Sequence, residues 1–265
     1  MIDTHAHLDV EEFHTDLPAV LHRARAAGIA AIVCPAITAA SSQAVVELAG
    51  RHPMLYAAVG IQPNSCAEAA PDDWDRVTAL VGDRRVVAIG ETGLDRHWDF
   101  TPFDVQQDYF DRHLRLAQAR DLPVVIHCRE AQADLMPMLR QAVGRGPLRG
   151  VLHSFSGDRA MAEECLALGL HISFSGAATY TNKKFTATIE AAQFVPLDRL
   201  VVETDSPYLT PQPLRGKEKR NEPAYLVHTV RRLAEIRGLP FDALAAATAE
   251  NARRLFGLDR GGAQK

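Results

Sequence analysis

The chain has 265 residues, 47% of them hydrophobic and 23% charged, with a formal net charge of −4. That composition suits a soluble globular protein of one large domain or two small ones, and it excludes a surface coated in positive charge. No apolar run approaches the ~20 residues that a membrane-spanning helix needs.

The chain opens on Met1-Ile2-Asp3-Thr4-His5-Ala6-His7. Read as a strand over 2–7, this segment puts His5 and His7 on one face, because strand side chains alternate with period two. Two imidazoles side by side are costly to protonate together or to bury, and a divalent metal removes both problems. A helix is expected over 16–27, with Asp16 as its N-cap and Gly28 just past its end. A strand over 29–34, a helix over 41–51 starting at Ser41, and a strand over 55–60 follow. Gln62 lies just beyond that third strand. The run 85–90, Arg-Val-Val-Ala-Ile-Gly, predicts a fourth strand with Glu91 immediately after it.

A helix over 104–120 then leads to a strand over 123–128, which His127 ends and Arg129 follows. After a helix over 131–143 comes a strand over 149–154, ended by His153. A helix over 158–168, stopped by Gly169, precedes a strand over 170–175 and a loop containing Tyr180 and Lys183. The eighth strand, 199–204, ends in Glu203 and Asp205. A long, proline-stiffened basic loop follows it, then helices over about 223–238 and 241–255. Residues 259–265 read as a loose tail after a single domain over 1–258.

Eight strands alternating with helices is the count of a (β/α)8 TIM barrel. An open doubly wound sheet is the runner-up, but the Gly-rich dinucleotide fingerprint is missing. Met1 and Ile2 run straight into the histidine pair with no basic or long apolar segment before it, and the four cysteines lack CxxC spacing. Both features predict a cytoplasmic protein with reduced thiols. A monomer is expected.

His5, His7, Glu91, His127, His153, Glu203 and Asp205 all fall at the C-terminal ends of predicted strands. In a closed barrel those ends meet at one mouth, where catalytic groups of this fold reside. The mixed imidazole–carboxylate set suits two divalent ions, Mg²⁺, Mn²⁺ or Zn²⁺. Glu91, with two oxygens, is the expected bridge. His5, His7 and a strand-eight carboxylate would complete one site, and His127 with His153 the other. Asp205 is the expected general base, taking a proton from water made acidic by the ions. Glu203 would ligate a metal, orient a ligand histidine from behind, or serve the fold alone.

Lysine is scarce, yet Lys183, Lys184, Lys217 and Lys219 cluster in the loops after strands seven and eight. Barrels often hold phosphate there. Lys183, Arg215 and Lys217 are therefore candidate phosphate contacts, with Arg129 as a fork-shaped donor near His127. Phe155, Tyr180 and Tyr208 would either stack on bases or pack in the interior. His97, in the loop just after Glu91, is a further candidate for the site.

Taken together, several segments resemble the TatD family of metal-dependent deoxyribonucleases. They are Asp3-Thr4-His5-Ala6-His7-Leu8-Asp9, Gly90-Glu91-Thr92-Gly93-Leu94-Asp95, His127-Cys128-Arg129-Glu130-Ala131, His153-Ser154-Phe155-Ser156-Gly157, Glu203-Thr204-Asp205-Ser206-Pro207-Tyr208-Leu209, Arg215-Gly216-Lys217 with Asn221-Glu222-Pro223, and Glu250-Asn251-Ala252. The resemblance implies a TIM-barrel hydrolase that degrades DNA from 3′ ends, with a link to DNA repair and turnover. It also implies metal binding by His5, His7, Glu91, His127, His153 and Asp205. The departure is Gly60-Ile61-Gln62-Pro63, where the family usually has Gly-x-His-Pro. Glutamine hydrogen-bonds a phosphate but cannot carry positive charge.

The expected activity is 3′-to-5′ exonuclease action on single-stranded or damaged DNA ends. Two alternatives stand beside it. One is a small-molecule amide, ester or aminoacyl-ester hydrolase on the same centre; the other is a nucleic-acid or protein binder that keeps its metal only for stability.

Overall fold

Runs such as Ala31-Ile32-Val33-Cys34-Pro35 are apolar at every position, which suits strands covered on both faces. In the computed structural model, which describes residues 1–258, this run is a strand buried along its whole length. Eight parallel strands pair in chain order: β1 (Ile2–Asp3), β2 (Ala31–Pro35), β3 (Leu55–Val59), β4 (Val86–Asp95), β5 (Val124–Arg129), β6 (Gly150–Leu152), β7 (His171–Phe174) and β8 (Leu200–Val202).

The ring closes between its first and last strands. Thr4 N–H donates to Val202 O at 3.1 Å, Asp205 N–H to His5 O at 2.8 Å and His7 N–H to Ser206 O at 2.8 Å. Helices on the outside complete the (β/α)8 TIM barrel, and the open-sheet alternative falls. The expected tail, 259–265, lies outside the described residues.

Two apolar clusters separate by strand parity. Ile32, Leu55, Ile89, Ile126, Leu152 and Ile172 face the helices. Ala31, Val33, Val87, Val125, Val151 and Val201 fill the barrel, joined by Ala252, Leu255 and Phe256 of the final helix, Phe241–Phe256. That helix plugs the end where strands begin, so the other end is left for polar side chains.

The expected helices form at Leu17–Ala26, Ala39–Arg51, Phe103–Arg120, Gln132–Arg145, Arg159–Ala167, Leu226–Arg237 and Phe241–Phe256. Glu11–His14, Asp73–Leu80 and Thr186–Phe194 are further helices. The second expected helix begins earlier than Ser41. Thr38 caps it, its side chain accepting from Ser41 N–H while Ser41 Oγ accepts from Thr38 N–H. Asp16 stands at a cap position but makes no side-chain cap bond; it pairs with Arg23 and Arg220 instead.

Two strands differ from expectation in ways that matter for the site. β1 is regular only over Ile2–Asp3, because the buried Asp3 carboxylate accepts from Thr204 N–H, Thr204 Oγ–H and His5 N–H, bending the chain onto β8. β4 runs five residues beyond Gly90, so Glu91 lies inside the strand rather than after it. Gly93 permits this: a Cβ there would sit 1.9 Å from His127 O.

The four cysteines are unpaired thiols, and burial raises Cys66 and Cys165 to about 12 and Cys128 to about 11. No helix among the described residues is long and apolar enough to cross a membrane.

His113 is structural. Its Nε2 accepts from Ile61 N–H at 2.9 Å and its Nδ1–H donates to Tyr109 O at 2.6 Å, clipping the loop after β3 to the helix Phe103–Arg120. Burial lowers its pKa to about 4. The unfolded chain therefore takes up a proton below about pH 6.5 that the folded chain refuses, and stability falls as pH drops toward 4. At ~1.4 kcal/mol per unit, this one histidine costs up to about 3 kcal/mol across that window. Thermal melts of the wild type and His113→Gln are expected to show a smaller loss of Tm between pH 7.5 and 5 in the variant. Parallel pH slopes would contradict this.

Candidate metal centre

Six side chains, Glu91 and His127 within β4 and β5 and the others just past the ends of β1, β6 and β8, converge at the C-terminal mouth, and one carboxylate divides them in two. Glu91 Oε2 lies 3.3 Å from His5 Nε2 and 3.6 Å from His7 Nε2. Asp205 Oδ1 closes that half at 3.6 and 3.7 Å from the same nitrogens. Glu91 Oε1 faces the other way, 3.0 Å from His127 Nδ1 and 3.3 Å from His153 Nε2. The donor atoms form three overlapping groups that could hold a metal ion: His5–His7–Glu91, Glu91–His127–His153 and His5–His153–Asp205.

Outer partners fix how each ring presents itself. Pro35 O lies 3.2 Å from His7 Nδ1, which must carry the proton, so the Nε2 lone pair faces the centre. His127 Nε2–H donates to Asp95 Oδ2 at 2.9 Å, turning Nδ1 inward. Behind His153 Nδ1, Glu203 Oε1 stands at 3.5 Å, and Glu203 also accepts from Ser173 Oγ–H at 2.6 Å and Ser154 N–H at 2.5 Å. Glu203 is thus placed behind a candidate ligand, not among the converging donors. Asp205 adopts φ +57°, a left-handed conformation that costs a non-glycine residue on the order of 1 kcal/mol. Its N–H on His5 O ties that turn to β1.

The donor set fits divalent cations. Nitrogen atoms approach each other at 3.1 Å between His5 and His7 and at 3.2 Å between His127 and His153, with little hydrogen available between them. Positive charge is what this cluster calls for. Burial alone pushes the Glu91 carboxyl up, but His153, His127 and His5 outweigh it and hold it well below the usual range. Burial likewise opposes protonation of His153 and His127, yet Glu91 and Glu203 raise the first and Asp95 and Glu91 the second. His5 is lowered to about 4 by burial and by His153, while burial raises Asp205 well above its ordinary value. Cations would replace those protons, as metal binding to imidazole and carboxylate requires.

Asp95 is the residue the sequence reading missed. It is buried, and besides His127 it accepts from Asn64 Nδ2–H at 3.1 Å and from the N–H groups of His97 and Trp98. Burial opposes its ionisation, but these bonds, with His127 foremost, hold it at about 2. The signal was present: Glu91, Gly93 and Asp95 share strand parity, which shows only once β4 is read through to residue 95.

The candidate phosphate contacts lie on the rim. Arg129 is exposed at the end of β5, its guanidinium 5.7 Å from the Trp98 ring. The loops after β7 and β8 touch, with Gln212 N–H on Thr179 Oγ at 2.8 Å, and they carry the exposed Lys183, Arg215 and Lys217. Arg215 lies over the Tyr180 ring at 4.0 Å. Arg220 of the same loop is committed elsewhere, to Asp16, Glu222 and Glu12 O. Gln62 is half-buried, and its Oε1 caps the turn by accepting from Asn64 N–H at 2.9 Å. Of the three aromatic candidates, Phe155 and Tyr180 are buried and only Tyr208 is exposed, its ring 6.1 Å from that of His7. His97 pairs with Glu130 at 3.0 Å on the rim.

This arrangement has counterparts in known proteins. Residues 2–257 match the model of the TatD-related DNase family. The chain is 38% identical over 256 residues to the uncharacterized metal-dependent hydrolase YabD of Bacillus subtilis, covering 97% of this chain and 98% of that one. It is 36% identical over 260 residues to the 3′-5′ ssDNA/RNA exonuclease TatD of Citrobacter rodentium, covering 97% and 98%. The crystal structure of the TatD homologue YJJV from Escherichia coli superposes with a TM-score of 0.89 at 34% identity, covering 97% and 98%. A closed barrel whose mouth gathers four imidazoles and two carboxylates, matched over almost its full length, places this chain in the TatD-related DNase family of hydrolases.

Proposed function

We propose that this protein is a two-metal phosphodiesterase that removes nucleotides from the 3′ ends of single-stranded nucleic acid, DNA foremost, in the turnover or repair of DNA ends. The observation that carries the reading is the division of labour at Glu91. One oxygen faces His5 and His7, the other His127 and His153, as a carboxylate bridging two ions would. The exonuclease named among its relatives supports the substrate class.

His5, His7, Glu91 and Asp205 would hold one ion, and Glu91, His127 and His153 the other. Such ions supply the charge that polarises a phosphoryl group and renders water acidic near neutral pH. Asp205, beside His5 and His7, accepts the proton of the attacking water as general base. Pro35 O and Asp95 keep the His7 and His127 tautomers fixed. Arg129 offers a fork to a non-bridging phosphate oxygen, and Lys183, Arg215 and Lys217 draw the strand in by charge. The side-chain amide of Gln62 donates to an oxygen of the substrate, where a histidine would add charge.

A time course on 3′- and 5′-labelled single-stranded and duplex oligonucleotides, with and without chelator, tests this. Stepwise shortening of the single strand from its 3′ end, abolished by chelator and restored by Mg²⁺ or Mn²⁺, is expected. Metal-dependent cleavage of lactones or aminoacyl esters with no action on any oligonucleotide would overturn it.

A further inference from the structure

Three large hydrophobic side chains are exposed among the described residues: Trp98 at 45%, Phe100 at 63% and Tyr208 at 54%. All three stand on loops that follow β4 and β8, at the end of the barrel that carries Glu91 and Asp205. Aromatic surface left in water forfeits the free energy of burial, and elsewhere this chain buries its large apolar side chains. Their confinement to the mouth calls for an occupant.

Trp98 and Phe100 form a built feature. Their rings stack at 5.4 Å with planes 18° apart. His97 supports Trp98 edge-on at 4.7 Å and is itself tied to Glu130. Asp95 anchors the base of the loop, one oxygen accepting from His97 N–H at 2.8 Å and Trp98 N–H at 3.1 Å. Its other oxygen holds His127. A single carboxylate thus sets both a candidate metal ligand and the position of the aromatic pair. Arg129 brings positive charge to the Trp98 ring at 5.7 Å. Of the acidic groups nearby, Glu130 is paired with His97, and Asp99 lies between the two aromatics in sequence.

We propose that Trp98 and Phe100 are a stacking platform for an unpaired nucleobase of the strand whose phosphodiester sits at the metal centre. This rests on the nuclease reading above and deepens it. Flat aromatic faces accept any base, so the platform gives affinity without sequence preference. In a duplex the base is already stacked and paired, so the platform favours single strands over blunt ends. Arg129, beside the Trp98 ring, offers a donor to the phosphate while the base lies against the exposed aromatic pair.

The test is a cycle between protein and substrate. Trp98→Ala and Phe100→Ala are compared with wild type on a single-stranded oligonucleotide and on the same strand with abasic residues at its 3′ end. The expected result is a rise in KM of about tenfold for either variant on the intact strand, with the change on KM rather than kcat. On the abasic strand the wild type itself is weakened, and the variants lose little more. Trp98→Phe should restore most of the affinity, which separates stacking from loop collapse. Equal losses on intact and abasic strands, or variants indistinguishable from an active wild type, would overturn the platform and leave the nuclease reading standing. A wild type inactive on every oligonucleotide would remove the nuclease reading and the platform with it.

Discussion

Glu91→Gln is expected to lower kcat on a single-stranded oligonucleotide by roughly a thousandfold or more. The substitution keeps the side chain's volume and removes its charge. Glu91 lies within contact distance of all four imidazoles, at 3.0 to 3.6 Å. Metal-ion stabilisation of transition-state charge is worth several kcal/mol, and each ~1.4 kcal/mol is a factor of ten. Metal content per chain, measured by elemental analysis, should fall together with kcat. An active Glu91→Gln enzyme with undiminished metal would show that the carboxylate holds nothing essential.

Asp205→Asn is expected to act differently. General-base assistance contributes ~10²- to 10⁴-fold, so kcat should fall by that amount while KM and strand binding change little. Asparagine keeps an oxygen toward His5 and His7, at the position now 3.6 and 3.7 Å from their nitrogens, but cannot take a proton. Loss of metal in this variant would assign Asp205 to ligation alone. Retained metal with a collapsed kcat would assign it to proton transfer, and unchanged hydrolysis would reject both roles.

The barrel was legible because several of its strands are continuous apolar runs alternating with helices, such as Val124-Val125-Ile126, which His127 closes. That regularity also located the centre. His5, His7, His127, His153 and Asp205 could be placed at one mouth without knowing any contact. What escaped depended on information that is not local. β4 was cut short because Glu-Thr-Gly-Leu-Asp reads as a turn, while Gly93 is a point of close approach to β5. With the strand went Asp95. The helix Thr186–Phe194 escaped because its threonines and alanines give no clear stripe. Arg220 read as part of a basic run, yet its partners Asp16 and Glu12 lie some two hundred residues away in sequence, where charge patterning cannot see them. Trp98 and Phe100 were ordinary aromatics until their exposure set them apart.

Anomalous diffraction from crystals grown with Mn²⁺ probes the bridge itself. Two peaks are expected roughly 3.5–4 Å apart, one beside each oxygen of Glu91, with His5 and His7 on the first and His127 and His153 on the second. A lone peak, or none, in crystals of an enzyme that cleaves DNA under the same conditions would contradict the paired centre.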